Sequence, residues 1–167
     1  MDSSAKLYRV GMYGGKFMPM HIGHLRCLEI ASKECEVVYC VLFCGGAQEK
    51  EILAEHSNDY YLSLNQRIRQ LYRASKMFGN VIPVVIDVSS SIMPDGKEDW
   101  DLQTPMVIRE CGLLDAVYGS EPSYAEYFAR AYPNAEYRML DPNRDDIHIS
   151  ATDIRAMPAI DRMRWIV

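Results

Sequence analysis

The chain lacks a disulfide framework, a membrane-length apolar run and an excess of positive charge, and each absence removes a class of function. Its five cysteines, Cys27, Cys35, Cys40, Cys44 and Cys111, are odd in number and form no Cys-x-x-Cys pair. Such spacing supplies neither a stapled secreted scaffold nor a set of zinc ligands, and it fits reduced thiols in a cytoplasmic protein. Cys40 and Cys44 read as small hydrophobes at a strand and its end. No apolar stretch approaches the ~20 residues that span a bilayer. Residues 1–6 are polar, with no apolar h-region behind them, so neither a membrane role nor a secretory signal is expected. The net charge of −5 argues against a nucleic-acid partner, which calls for a basic face. Local cations can still hold a small anion, so a nucleotide remains open. There is no internal repeat and no low-complexity tract.

What is present suits one folded domain over residues 1–167, with 49% hydrophobic and 25% charged residues. Apolar runs at 7–13, 36–43, 81–88, 116–118 and 136–140 predict five strands. Gly14-Gly15 and Gly45-Gly46 are expected to end the first two, and Pro83 puts the third at an edge. Helical spacing follows between them. One helix is predicted from Ile22 to about Cys35. A second opens on a Ser63–Gln66 capping box, with Leu64, Ile68, Leu71, Ser75 and Phe78 on one face and Arg67, Arg69 and Arg73 on the other. A third starts at Thr104-Pro105 and stops at Gly112. Ser123 and Glu126 are expected to cap a fourth, and Ser150 a last one that breaks at Pro158. Residues 47–62 and 89–99 predict two loops, the first mobile. This alternation predicts an α/β fold: a doubly wound, Rossmann-like, five-stranded parallel sheet with helices on both faces. In such folds ligands bind at the carboxyl ends of the strands.

The segment Gly15-Lys16-Phe17-Met18-Pro19-Met20-His21-Ile22-Gly23-His24 lies between the first strand and first helix. Its pattern G-x-F-x-P-x-H-x-G-H fixes six positions, which chance supplies at about 10⁻⁸ per starting point. The chemistry suits phosphate. Gly15 permits a tight turn and close backbone approach to a ligand. The helix start brings free N–H groups and a positive dipole end to the same place. His21 and His24 are three apart, hence on one face, and either imidazole can donate to a polyphosphate. Lys16 adds a positive charge, and Gly14 and Phe17 belong to the same nucleotide-binding loop. A second segment, Ile149-Ser150-Ala151-Thr152-Asp153-Ile154-Arg155, places Ser150 and Thr152 at a helix start, with Arg155 able to pair with phosphate oxygens.

The first segment resembles the signature of the HIGH nucleotidyltransferase superfamily, and the second resembles the I-S-x-T-x-x-R signature of its adenylyltransferase branch. The resemblance implies ATP or CTP in the loop, with both histidines on the phosphates and His24 nearest the α-phosphate. It implies Lys16 and Arg155 on the triphosphate and leaving pyrophosphate, and Mg²⁺ bridging phosphates mostly through water. A synthetase of that superfamily needs far more chain for tRNA. Cytidylyltransferases of the glycerol-phosphate type carry R-T-x-G-I-S-T-T, where this chain reads His148-Ile149-Ser150-Ala151-Thr152, a departure that favours ATP.

Further stretches resemble the NadR-type nicotinamide mononucleotide adenylyltransferases. Asn65-Gln66-Arg67 is similar to the family's Gln-Asp-Arg, and Pro94-Asp95-Gly96 with Trp100 to its Pro-x-Gly…Trp loop. Tyr118-Gly119-Ser120-Glu121-Pro122 is similar to its Ser-Ser-Glu-Pro, and Leu140-Asp141-Pro142-Asn143-Arg144 to its Val-Asp-Pro-x-Arg. The resemblance implies nicotinamide mononucleotide as acceptor, with Trp100 stacking the ring, Lys16 beside it, and Gly119-Ser120 near adenine or ribose. The chain departs from the family at Lys97, where a second Trp is usual, and through 45–62. The alternatives are another acceptor (phosphopantetheine or a sugar or alcohol phosphate), CTP as donor, or a nucleotide-binding regulatory module without catalysis. No G-x-x-x-x-G-K-[ST] occurs, so the P-loop kinase of larger members is not expected in these residues. Many members assemble, so the resemblance allows a homo-oligomer. His56 and His148 read as loop residues.

Overall fold

Alternate residues of a strand face opposite ways, and the central strands here are apolar on both faces, as a sheet covered on both sides requires. The computed structural model describes residues 5–167. Its strands are β1 (Tyr8–Gly15), β2 (Cys35–Cys44), β3 (Val81–Asp87), β4 (Ala116–Gly119) and β5 (Glu136–Met139). Its helices are α1 (Ile22–Glu34), α2 (Ala47–Glu55), α3 (Leu64–Lys76), α4 (Thr104–Cys111), α5 (Ala125–Ala131), α6 (Ala151–Ala156) and α7 (Ala159–Arg162). The five strands pair in parallel in the order β3-β2-β1-β4-β5, so the chain winds outward from β1 in both directions. Pro83 does lie on an edge strand, where its missing N–H costs no ladder bond.

Two cores result. On one face Tyr13, Val38, Cys40, Leu42, Ala116 and Tyr118 pack with Leu28 and Ala31 of α1 and Leu71 and Ala74 of α3. On the other, Met12, Val41, Ile86 and Val117 pack with Val107 and Cys111 of α4 and with Tyr132. All five cysteines are free and buried. Among the described residues no helix is long and apolar enough to cross a membrane.

Several local expectations are corrected. Gly14 and Gly15 do not break β1 after Tyr13; they are its last two residues and pair with Val41 and Leu42 of β2. The left-handed residue of the following turn is Phe17, at φ 50°. Glycine is needed at 14 for space, because a Cβ there would sit 2.5 Å from the Phe43 ring. Residues 47–62 are not a loop but hold α2 and a 3-10 turn at Tyr60–Leu62. Only Glu49 and Ile52 of α2 are buried, too few for a readable apolar period, and its first N–H is accepted by Glu98 from far along the chain. Ser63 caps α3 through the Gln66 N–H alone, without the reciprocal bond of a capping box. Ser123 does not cap α5, and its hydroxyl donates to Glu121.

The largest correction is Arg67, which is completely buried rather than on a solvent-facing side of α3. Its Nη1 donates to Glu49 Oε1 at 2.6 Å, and its Nε and Nη2 donate to the Lys16 carbonyl at 3.2 and 2.9 Å. Glu49 also accepts the N–H of Gly45, whose φ of 79° ends β2. One ion pair thus ties α3, α2, the end of β2 and the β1–α1 loop together. Removing one member of such a pair strands the other in a dry site, at a cost of about 3–5 kcal/mol. Glu49→Ala is expected to lose stability on that scale in urea unfolding; a loss under about 1 kcal/mol would show that Arg67 finds another partner.

Candidate nucleotide-binding and active site

At β1 the winding reverses, and beyond the carboxyl ends of β1 and β4 the connections diverge, leaving a crevice. A cleft of about 410 Å³ occupies it. Its walls include Lys16, His21, His24, Gly119, Ser120, Trp100, Ser150, Thr152 and Arg155, so both sequence signatures and the Trp100 loop meet in one place. Gly14, Gly15 and Phe17 line it as well. Phe17 is 3% exposed and sets its ring edge-on to His24 with centroids 4.9 Å apart, which makes it a buttress for the histidine.

The two histidines close the N-terminus of α1 on each other. His21 is the N-cap, and its Nδ1 accepts the Gly23 N–H at 3.0 Å. Three residues on, His24 Nδ1 accepts the His21 N–H at 3.1 Å. A backbone N–H can only donate, so both Nδ1 atoms carry lone pairs and both protons sit on Nε2. The rings lie 3.8 Å apart. Burial and the nearby Arg144 guanidinium push His21 down to about 4. Burial, then the His21 and Arg144 charges, hold His24 well below the ordinary histidine range. Both are therefore neutral near pH 7, and each has an Nε2–H to offer a ligand.

Positive charge comes from elsewhere. Lys16 follows β1 directly, and burial lowers its pKa while the Glu98 carboxylate opposes that shift. Arg155 sits on α6, whose N-cap Ser150 exchanges hydrogen bonds with Asp153 in a full capping box. Its Nη1 donates to the Met18 carbonyl at 2.8 Å and its Nη2 to Thr152 Oγ1 at 3.3 Å, so the second signature is clamped onto the first. Arg155 has five N–H bonds and spends two here, leaving donors for a ligand. Ser150 commits one lone pair to the cap and keeps its O–H. The loop is fixed from a third side, where Trp165 O accepts the Ile22 N–H at 3.0 Å and Met20 O accepts the Val167 N–H at 3.2 Å.

Four cleft residues escaped sequence reasoning. Arg144 stands at φ 55° in a turn that Asp141 closes by accepting the N–H groups of Asp145, Asp146 and Ile147. Arg144 was named only within the Leu140–Arg144 stretch that carries the family resemblance, without a place in the cleft. Tyr124 and Tyr127 meet the Trp100 ring edge-on at 5.0 and 5.3 Å. Glu98 accepts from the Trp100 indole N–H at 3.2 Å, and nothing local in the sequence announces it. Trp100 itself, 36% exposed, is a cleft-wall aromatic rather than a core residue. His56 is bonded to Asp59, and His148 is exposed, both away from the cleft walls.

A doubly wound sheet with uncharged histidines at its first strand-to-helix junction, lining one cleft with Lys16 and with Arg155 of a second capped helix, defines a domain of nucleotidyltransferase type. The chain belongs to the cytidylyltransferase-like family, whose pattern matches residues 12–157. The trifunctional NAD biosynthesis/regulator protein NadR of Escherichia coli strain K12 is 23% identical over 155 residues, which cover 89% of this chain and 37% of that protein. A crystal structure of NadR in complex with NAD and AMP-PNP shares 25% identity at a TM-score of 0.65, covering 97% of this chain and 46% of the other. A bifunctional NMN adenylyltransferase/ADP ribose pyrophosphatase from Francisella tularensis has the same fold, with 19% identity, a TM-score of 0.61, and coverage of 89% and 41%. The chain therefore spans well under two thirds of each of these relatives.

The histidine environment has a consequence for stability. Folding lowers the His21 pKa from 6.5 to about 4, so in that window the unfolded chain binds more protons. Folding free energy should thus fall by up to about 3 kcal/mol as pH drops from 6.5 to 4, and be flat above. His21→Asn keeps an N-cap acceptor that does not titrate. Urea unfolding at pH 7 and pH 4.5 should show a smaller acid loss in the variant than in the parent; equal losses would mean that His21 is not held neutral.

Proposed function

We propose that this chain is an adenylyltransferase that joins the AMP moiety of ATP to the phosphate of a small acceptor, most fittingly nicotinamide mononucleotide, giving NAD and pyrophosphate. The observation that carries the reading is the pair of neutral histidines, each with its Nε2 proton free, set between Lys16 and Arg155 in the switch-point cleft. An acceptor phosphate oxygen is already a nucleophile, so the reaction needs neither a covalent enzyme intermediate nor a strong base. That oxygen attacks the α-phosphorus in line and forms a new P–O bond. The bond from the α-phosphorus to the bridging oxygen breaks, and pyrophosphate leaves with the electron pair. The protein supplies position and charge stabilisation.

His24, wedged between Phe17 and His21, donates to the α-phosphate as negative charge grows on its oxygens. His21 donates beside it, while Lys16 and Arg155 hold the triphosphate and balance the departing pyrophosphate. Ser150 and Thr152 add hydroxyl contacts, and Gly119-Ser120 border the nucleoside. Mg²⁺ enters this proposal with ATP. The ion would be held by phosphate oxygens and water. When bound it would neutralise phosphate charge. The acceptor assignment is supported by the half-open Trp100 ring in the cleft and by relatives whose names place them in NAD biosynthesis and NMN adenylylation.

The test is pyrophosphate release with ATP, Mg²⁺ and nicotinamide mononucleotide, with phosphopantetheine and CTP run in parallel. Turnover with the mononucleotide is expected, and His24→Ala should lower kcat by roughly 10²–10³ with the fold intact by circular dichroism. An unchanged kcat would remove His24 from the chemistry. ATP binding without pyrophosphate release under every condition would favour a regulatory nucleotide-binding module.

A further inference from the structure

A second cavity, of about 370 Å³, shares none of its wall residues with the switch-point cleft. It is bounded by Tyr61 ahead of α3, Arg73 of α3, Arg162 of α7, and Met163, Ile166 and Val167 of the segment that follows. No acidic residue lines it, in a chain whose net charge is −5. Its cations are little used. Arg73 Nη1 donates to the Val167 carbonyl at 3.4 Å, and Arg162 Nε donates to the Ile154 carbonyl at 3.3 Å. Among the described residues neither guanidinium pairs with an acidic side chain. A guanidinium carries five N–H bonds, so most of those on each arginine remain to be offered. The Arg162 guanidinium also lies over the Tyr61 ring, 4.6 Å from its centroid. The Tyr61 hydroxyl is buried and has no hydrogen-bond partner, a third donor without an acceptor.

Met163, 80% exposed, joins Ile166 and Val167 to give the cavity an apolar side. Two guanidiniums beside an apolar wall suit an oxyanion carried on a small apolar body, and the volume is in the range of small-molecule sites. The same walls reach the β1–α1 loop. Ile166 forms an antiparallel bridge with His21. The Val167 N–H donates to the Met20 carbonyl, and the Ile22 N–H to the Trp165 carbonyl. Arg162 holds the carbonyl of Ile154, the residue before Arg155. An anion shared by Arg73 and Arg162 would therefore tie α3 to α7 and to residues 165–167 without displacing a bond that either arginine now makes.

We propose that this cavity is an effector site for a small organic oxyanion, a phosphate or carboxylate on an apolar body, and that its occupancy tightens nucleotide binding in the switch-point cleft by bracing residues 165–167 against the β1–α1 loop. The coupling rests on the nucleotide-binding reading of the cleft, whereas the site itself does not. Energetically the two are linked: an anion that favours the braced loop gains affinity from the nucleotide by the same factor that it lends.

Titration calorimetry with phenyl phosphate, and with benzoate in a second arm, tests this in excess non-hydrolysable ATP analogue and Mg²⁺. Binding of at least one is expected, and the two arms tell phosphate from carboxylate. Arg73→Gln removes one guanidinium, and Met163→Glu sets a carboxylate against both; each should weaken binding about tenfold or more. Both positions are exposed, so the fold should survive, with circular dichroism as the check. Should one variant not fold, the other decides. Saturating anion should also tighten the Kd of the ATP analogue roughly fivefold in the parent and not in Arg73→Gln. Absence of binding in both arms would overturn the site. Binding that the folded variants leave unchanged would do the same, since it would place the anion in the switch-point cleft. Variant-sensitive binding with an unmoved analogue Kd would overturn the coupling alone, and an ATP analogue that does not bind at all would overturn the nucleotide reading and the coupling together.

Discussion

A guanidinium with no contact with water holds the β1–α1 loop in place. Burying Arg67 and Glu49 costs several kcal/mol per charge before any pairing is counted, and the pair is no cheap source of stability. What it supplies is position. Arg67 takes the Lys16 carbonyl with two bonds, and Arg155 takes the Met18 carbonyl from the opposite side. Two carbonyls of the loop are thus fixed by side chains from α3 and α6, so its geometry is set before a ligand arrives. Electrostatic catalysis depends on donors that need not reorganise as charge develops. Here that preorganisation comes from a buried ion pair some 50 residues downstream of the loop it serves.

With the loop fixed, the histidines can be neutral donors. Protonation of both rings at a centroid separation of 3.8 Å, beside Arg144, would place three positive charges together in a poorly solvated site. Neutral imidazoles avoid that repulsion and still present polarised N–H bonds. Their Nδ1 atoms are occupied with backbone N–H groups, so the capping of α1 and the orientation of the ligand-facing protons are one structural fact. Charge is left to Lys16 and Arg155, which are longer and reach from different elements.

How much of this was legible from the chain divides along physical lines. The strands followed from continuous apolar runs that suit a sheet covered on both faces, α1 and α3 from helical spacing of one apolar face, and the edge position of Pro83 from its missing N–H. The His21–His24 and Ser150–Arg155 segments were legible as local patterns of fixed residue types at fixed spacing, and the structure brings both to one cleft. The helix at Ala47–Glu55 was not, since its N-terminal partner is Glu98 and its only buried apolar residue is Ile52. Arg67 was misplaced for a related reason: helical spacing put it among Arg69 and Arg73, while its partners lie on α2 and the β1–α1 loop. Gly14 and Gly15 looked like strand breakers, yet they are small because Phe43 and Phe17 occupy the space beside them. Long-range polar partners and close approaches between elements leave no periodic trace in sequence.

The two ends of the cleft are built on opposite electrostatic plans. The phosphate end gathers cations and uncharged N–H donors around a loop whose carbonyls are turned away to arginines. The aromatic end sets Trp100 among Tyr124 and Tyr127 and adds one rigid carboxylate, with a backbone N–H, an indole N–H and an amide all converging on it. A ligand matching both ends must be anionic at one and cationic or hydrogen-bond donating at the other. Polarity along the cleft, more than its volume, is therefore what a ligand has to match.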